Sequence, residues 1–237
     1  MNQVTKASGL KINVLAMRIN IKKYLINHNM YIEHHLTKQE EYIDDYSGES
    51  RYRMVKSGKV KRIIPQIPNI HIGVAAVLEY MCINIIDALG TLKNDPSEKL
   101  NVTNQIILST ISSNPHLNYI FVRDLLYYDK KRCYAEFIHD KELDNIINSV
   151  DKNIYLDNPA RNLMQYLLQA VFNRLCASSY NIMMRGGRRS LNYADLVCAM
   201  KCLYDNQCED LILKSDQAII LVEKFNQKKR EALAMKQ

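Results

Sequence analysis

The chain has 237 residues, of which 47% are hydrophobic and 24% are charged, and these proportions exclude a wholly disordered protein. Its 7 glycines and 5 prolines are few for this length, which disfavours a many-stranded sandwich or barrel and favours long helices. The net charge of +7 indicates a polyanionic partner. The sequence predicts no membrane span and no signal peptide, so we expect a protein that is not secreted.

The first half of the chain predicts short, long and short helices in that order. These predicted helices lie at residues 17–27, 70–92 and 104–112. Residues 1–15 are polar and mixed, so we expect a short disordered lead. The long helix is apolar around most of its circumference and must therefore be buried on more than one face. At 38–67 an acidic run precedes a basic run, which is typical of a solvated insertion.

The second half repeats this order and adds one helix. Its predicted helices lie at residues 143–150, 160–185, 193–204 and about 210–229. Gly186 and Gly187 end the long helix. Asn192, with Asp195 three residues on, has the spacing of a capping box at the start of the next helix. The two halves therefore form a degenerate internal repeat of short, long and short helices.

No residue pattern in the chain predicts catalysis or a bound metal. The six cysteines lie mostly in apolar, helix-like runs, which is typical of reduced core thiols. The spacing of Cys198, Cys202 and Cys208 is not a zinc pattern. The six histidines are scattered, and no phosphate loop, nucleophile motif or carboxylate pair is present. We therefore expect a protein that is not an enzyme and that holds no metal and no cofactor.

Several segments resemble core histones. VAAVLEYMCINIIDALG at 74–90 resembles the start of the central helix of the two-A type, and KLNVT at 99–103 resembles that type's second loop. The third helix of that type is similar to residues 106–121. Residues 160–200 align without a gap with the two-B type, and the similarity is strongest in FNRL, RRSLN and DLVCAM. LVEKF at 221–225 aligns with the last helix of that type.

This resemblance implies an all-α fold in which two histone folds pair within one chain as a pseudo-heterodimer, with an extra C-terminal helix. The implied organisation is a lead at 1–15, a two-A-like fold at 16–128 with a first-loop insertion at about 31–69, a linker at 129–139 and a two-B-like fold at 140–237. The fused arrangement resembles the histone doublets of large DNA viruses. The best-known viral doublets of this pair place the two-B half first, whereas here the two-A half leads.

The family's function implies a protein that binds duplex DNA without sequence preference and compacts it in a nucleosome-like particle. The implied partners are double-stranded DNA and either a second histone doublet or three/four-type histones. The implied location is the nucleus, a viral factory or the virion. Two rival functions stay open: a sequence-specific transcription module of the nuclear factor Y kind, and a histone-fold scaffold that does not bind DNA.

The resemblance also implies which side chains meet DNA. In the second loop of the two-B half, Arg188 matches the arginine that enters the minor groove, and Arg189 and Ser190 follow it. We expect replacement of both arginines to weaken DNA binding without unfolding the protein. The remaining candidates are Lys99 in the two-A second loop, where the family's arginine position falls on Asn101, and Arg18, Lys22 and Lys23 on the first helix.

Only part of the family's acidic patch is retained. Glu79, Asp87 and Glu209 fall at patch positions, whereas uncharged residues such as Asn84 and Gln217 replace other acids. Because an arginine anchor needs paired carboxylates, we expect factors that dock on this patch to bind poorly.

Overall fold

A computed structural model describes residues 3–35, 60–129 and 136–234, and this part of the chain is mostly helical. Its helices are α1 (Gln3–Ser8), α2 (Val14–Asn27), α3 (Ile70–Gly90), α4 (Asn104–Ser113), α5 (Pro115–Tyr127), α6 (Asp140–Val150), α7 (Asn158–Arg185), α8 (Tyr193–Tyr204) and α9 (Glu209–Ala234). Its short strands are β1 (Ile32–His35), β2 (Val60–Ile63), β3 (Leu100–Val102) and β4 (Ile154–Leu156). The predicted helical class is confirmed.

The capping signals in the second half are also confirmed. Gly186 follows the last residue of α7, and Gly187 adopts a φ of +63°, a left-handed conformation that glycine reaches at low cost. Asn192 and Asp195 form the predicted capping box at the start of α8. These local rules hold because they depend on backbone groups within a few residues of the cap.

The expected disordered lead at 1–15 is wrong for the residues that the structure describes. Helix α1 packs on α9, and Ile12 is buried. Thr5 and Ser8 are buried as well, and their hydroxyls are satisfied: Thr5 Oγ1 accepts from the Val14 amide at 3.1 Å, and Ser8 Oγ donates to the Thr5 carbonyl at 2.8 Å. The polar composition of this segment therefore does not indicate disorder, because its polar groups form hydrogen bonds within the chain.

Helix α3 forms the centre of the core. It contacts α2, α4, α6, α7, α8 and α9, as expected for a helix that is apolar on nearly every side. By length and composition α3 could cross a membrane, but 78% of its most apolar window is buried inside the protein. This burial fits a core helix.

Two short pairings indicate how the long helices α3 and α7 are placed. β3, which follows α3, pairs in parallel with β4, which precedes α7. At the opposite ends of these helices, Gln66 forms a parallel bridge with Ser190, and the Leu191 amide donates to the Gln66 carbonyl at 2.8 Å. The end of each long helix therefore lies beside the start of the other, so α3 and α7 run in opposite directions.

The predicted insertion at about 31–69 contains two strands that pair as a hairpin. β1 pairs with β2 in antiparallel register, with Ile32 opposite Ile63. Tyr180 of α7 donates from its hydroxyl to the Tyr31 carbonyl at 2.9 Å, which ties the base of the hairpin to the second half. Residues 36–59, which include most of the predicted acidic and basic runs, lie outside the described residues.

The described cysteines divide into two groups. Cys82, Cys176 and Cys208 are buried, and burial raises the pKa of each of these thiols. Cys198 and Cys202 are exposed on α8, so the expectation of core thiols is wrong for these two. Within the described ranges, no group of three His, Cys, Asp or Glu side chains is placed to hold a metal ion.

Candidate nucleic-acid interface

One end of the helix pair carries exposed polar and basic residues around β3 and β4. Lys99 is exposed just before β3, and Asn101 is exposed opposite Tyr155 in the parallel register. Tyr155 is 48% exposed, and Lys152 is exposed in the turn before β4. Sequence reasoning did not single out Lys152 and Tyr155, although a basic and an aromatic residue close together in a loop were a usable signal.

An ion pair between a buried lysine and a partly exposed aspartate holds this end together. The Nζ atom of Lys93 donates to Asp151 Oδ2 at 2.7 Å and to the Pro96 carbonyl at 2.7 Å, and its side chain is only 2% exposed. The hydrogen bond from Lys93 lowers the pKa of Asp151. Lys93 is therefore a cation that joins the segment after α3 to the segment before α7, and its charge is not presented to a ligand.

At the other end, Arg188 does not project freely. Its guanidinium donates to Asp195 Oδ1, and the Asp195 side chain is fully buried whereas that of Arg188 is 39% exposed. The second oxygen of Asp195 accepts from the Asn192 amide at 2.8 Å. We therefore expect loss of Arg188 to lower stability, because it would leave a buried carboxylate without its cation.

The two residues after Arg188 differ in whether their side chains have partners within the protein. Arg189 is exposed and forms no ion pair with any residue in the described part of the chain. The Ser190 hydroxyl donates to Asn192 Oδ1 at 2.8 Å, so this hydroxyl already has an internal partner. Arg189 is thus the cation in this loop that is best placed to meet a phosphate.

The basic residues of α2 are unequally exposed. Lys23 is exposed, whereas Arg18 and Lys22 are only partly exposed. Burial lowers the pKa of the neighbouring His71 to about 4, with further lowering by the charges of Arg18 and Lys22. The exposed surface of α2 also contains Leu15 and Ile19, so this helix offers less positive surface than its sequence indicates.

The residues expected in the acidic patch do not act together. Glu79 is buried, and its Oε2 accepts from the amides of Lys11 and Ile12 at 2.6 and 3.1 Å, so its assignment as a patch residue is wrong. Burial raises the pKa of Glu79. Asp87 and Glu209 are exposed.

Sequence reasoning missed an acid next to Glu209. The hydroxyl of Tyr80 on α3 donates to Asp210 Oδ2 at 3.3 Å, which brings Asp210 to the junction of α3 and α9. Burial raises the pKa of Tyr80, and the charges of Asp210 and Asp87 raise it further, so both acids lie near this hydroxyl.

No protein-family model, curated protein or solved structure matches this chain. Its function must therefore be inferred from its own residues and contacts.

Proposed function

We propose that this chain is a fused pair of histone folds, two-A-like and then two-B-like, that binds duplex DNA without sequence preference and compacts it in a nucleosome-like particle. It acts by binding and carries out no chemical reaction. Its partners in that particle are a second histone doublet or three/four-type histones, and it works in the nucleus or in a viral factory.

The observation that carries this proposal is the pairing of loops from the two halves. Each end of the α3–α7 pair joins a segment that flanks one long helix to a segment that flanks the other, through β3 with β4 and through Gln66 with Ser190. Two long antiparallel helices whose flanking loops meet at both ends are what two histone folds require when they pair. The residues with histone-like letters, 99–103 and 188–192, lie in these loops.

The distribution of cations supports DNA as the ligand. Arg189 is exposed at one end of the helix pair, Lys99 and Lys152 are exposed at the other, and Lys23 is exposed on α2. A duplex recognised through its phosphates needs separate cations at intervals and no base-reading side chains. The small number of these cations predicts weak binding by the chain alone and tighter binding in a larger particle.

A second candidate function is a histone-fold scaffold that does not bind DNA. The pairing of Arg188 with Asp195 favours it, because this arginine is then committed to the fold. The exposed Asn101 favours it as well, since an uncharged residue stands where the family has an arginine.

The test is the affinity of the purified full chain for two duplexes of equal length and unrelated sequence, measured by fluorescence anisotropy over a range of salt concentrations. We expect equal affinity for both duplexes and a steep, linear fall of the logarithm of affinity with the logarithm of salt concentration. Absence of binding at low salt would favour the scaffold, and preference for one duplex would favour a sequence-specific module. Nuclease protection with a candidate three/four-type partner then tests for the particle.

A further inference from the structure

A groove lies between α1 and the C-terminal part of α9, and none of its described lining residues belongs to the loops assigned to DNA. Its volume is about 730 Å³, and it is lined by Gln3, Lys6, Ala7, Phe225, Lys228 and Lys229. On each helix the lining residues follow an i, i+3, i+4 spacing, which places them on one helix face. Because α1 packs against α9, these two faces form the walls of a single groove.

The floor of the groove is mostly apolar. Phe225 and Ala7 are both partly buried, so each retains surface that a ligand can cover. The aliphatic stems of the lining lysines extend this apolar surface while their ammonium groups stay in water. A shallow, open apolar surface with a polar rim suits the docking of a side chain of another protein.

The rim of the groove is positively charged. Lys6, Lys228 and Lys229 are exposed, and none forms an ion pair with a residue that the structure describes. Glu231, which follows shortly on α9, accepts a hydrogen bond from Gln227 Nε2 at 3.0 Å. None of the described lining residues is acidic, so the lining itself carries three positive charges and no negative one.

We propose that this groove binds an acidic peptide segment of a partner protein, which inserts one aromatic or aliphatic side chain between Ala7 and Phe225. The carboxylates of such a peptide complement the three lysines, and its apolar side chain covers the floor. Duplex DNA would also attract the lysines, but its phosphate backbone has no apolar group to fill the groove. An acidic peptide with an apolar anchor matches both features.

The test uses the full chain and a synthetic fluorescein-labelled peptide rich in Asp and Glu with one central Phe, with binding followed by anisotropy. We expect the double variant Lys228→Glu, Lys229→Glu to bind about tenfold more weakly, because two favourable charges become repulsive. Replacing the peptide's Phe with Ser should also weaken binding by about tenfold, since burial of the ring is lost. The matched control is Lys201→Glu with Lys214→Glu, two exposed lysines outside the groove.

The controls separate the groove from general charge attraction and from DNA binding. Equal binding of the Phe and Ser peptides to the unaltered chain would overturn the proposal, and this comparison does not depend on any variant folding. Equal weakening by the control pair would also overturn it, because only net charge would then matter. The same variants are titrated with random-sequence duplex DNA, where we expect the groove and control pairs to behave alike. A selective loss of DNA affinity in the groove variant would make this surface a DNA contact instead.

Discussion

Arg188 and Asp195 form an ion pair in which the carboxylate is fully buried and the guanidinium is partly exposed. This pair links the loop after α7 to the first turn of α8, where Asp195 also accepts from the Asn192 amide. The Arg188 guanidinium lies over the end of α7, because a Cβ atom built on Gly186 would come within 2.9 Å of its Nε atom. Arg188 therefore shapes the loop that presents Arg189.

The two arginines of this loop should respond differently to substitution. Arg188→Ala should destabilise the protein by about 2–3 kcal/mol, because it leaves the buried Asp195 carboxylate without its cation. Arg189→Ala should leave the free energy of unfolding unchanged. It should reduce the slope of the logarithm of DNA affinity against the logarithm of salt concentration by about one, as expected for the loss of one phosphate contact. Urea denaturation and salt-dependent anisotropy measure the two effects. Equal stability losses in both variants would contradict the assignment of Arg188 to the fold.

Substituting Asp151 should destabilise the protein more than substituting its ion-pair partner Lys93. Asp151→Asn should cost about 3 kcal/mol, since it leaves a buried ammonium without a neutralising carboxylate. Lys93→Met should cost less, about 1–2 kcal/mol, because the Asp151 side chain is 23% exposed and can be solvated by water. Urea denaturation checks this order. The double variant Lys93→Met, Asp151→Asn should be more stable than Asp151→Asn alone, and the opposite order would show that the pair does not secure this end.

The sequence allowed prediction of features that depend on nearby residues. The long helices, their order and the Asn192–Asp195 capping box follow from periodicity and from backbone groups left unpaired at helix ends. The partners of individual charges were not predictable, because they depend on long-range contacts. Glu79 bonds to amides that lie 68 and 67 residues away. Lys93 lies 58 residues from Asp151, so neither residue could be assigned from local pattern.

His71 should make stability depend on pH between its two pKa values. Burial, with help from the charges of Arg18 and Lys22, lowers its pKa from 6.5 to about 4, and a backbone hydrogen bond to Ile67 opposes this shift. As the pH falls below 6.5 the unfolded chain takes up a proton that the folded chain does not, so stability falls until about pH 4. The loss should approach about 3 kcal/mol.

The comparison that isolates His71 is with His71→Phe, a variant that cannot be protonated at this position. The buried acids Glu79 and Asp124 have raised pKa values, so they take up protons more readily in the folded state and stabilise it as the pH falls. In the unaltered protein this effect partly offsets the loss of stability caused by His71. The difference between the two proteins cancels these contributions. In urea denaturation from pH 8 to pH 4, the free energy of unfolding of the variant should rise relative to that of the unaltered protein only below pH 6.5. A constant difference would contradict the role of His71.

Gly73 lies where α3 contacts α8. A Cβ atom at this position would lie 2.8 Å from both Leu196 Cδ2 and Tyr193 Cε2, and the Tyr193 hydroxyl is held in turn by Ser215 of α9 at 2.5 Å. Gly73→Ala should therefore destabilise the protein by about 1–3 kcal/mol, because the neighbouring side chains must move in a packed core.

The matched control for Gly73 is Gly90→Ala in the same helix. A Cβ atom at Gly90 would have no neighbour within 4 Å, so alanine should stabilise the helix by up to about 1 kcal/mol through its higher helix propensity. Thermal and urea denaturation of the two variants should thus shift in opposite directions. If Gly73→Ala were also stabilising, α3 and α8 would not approach as closely as the structure places them, and the packing of the first half against the second would need to be revised at this crossing.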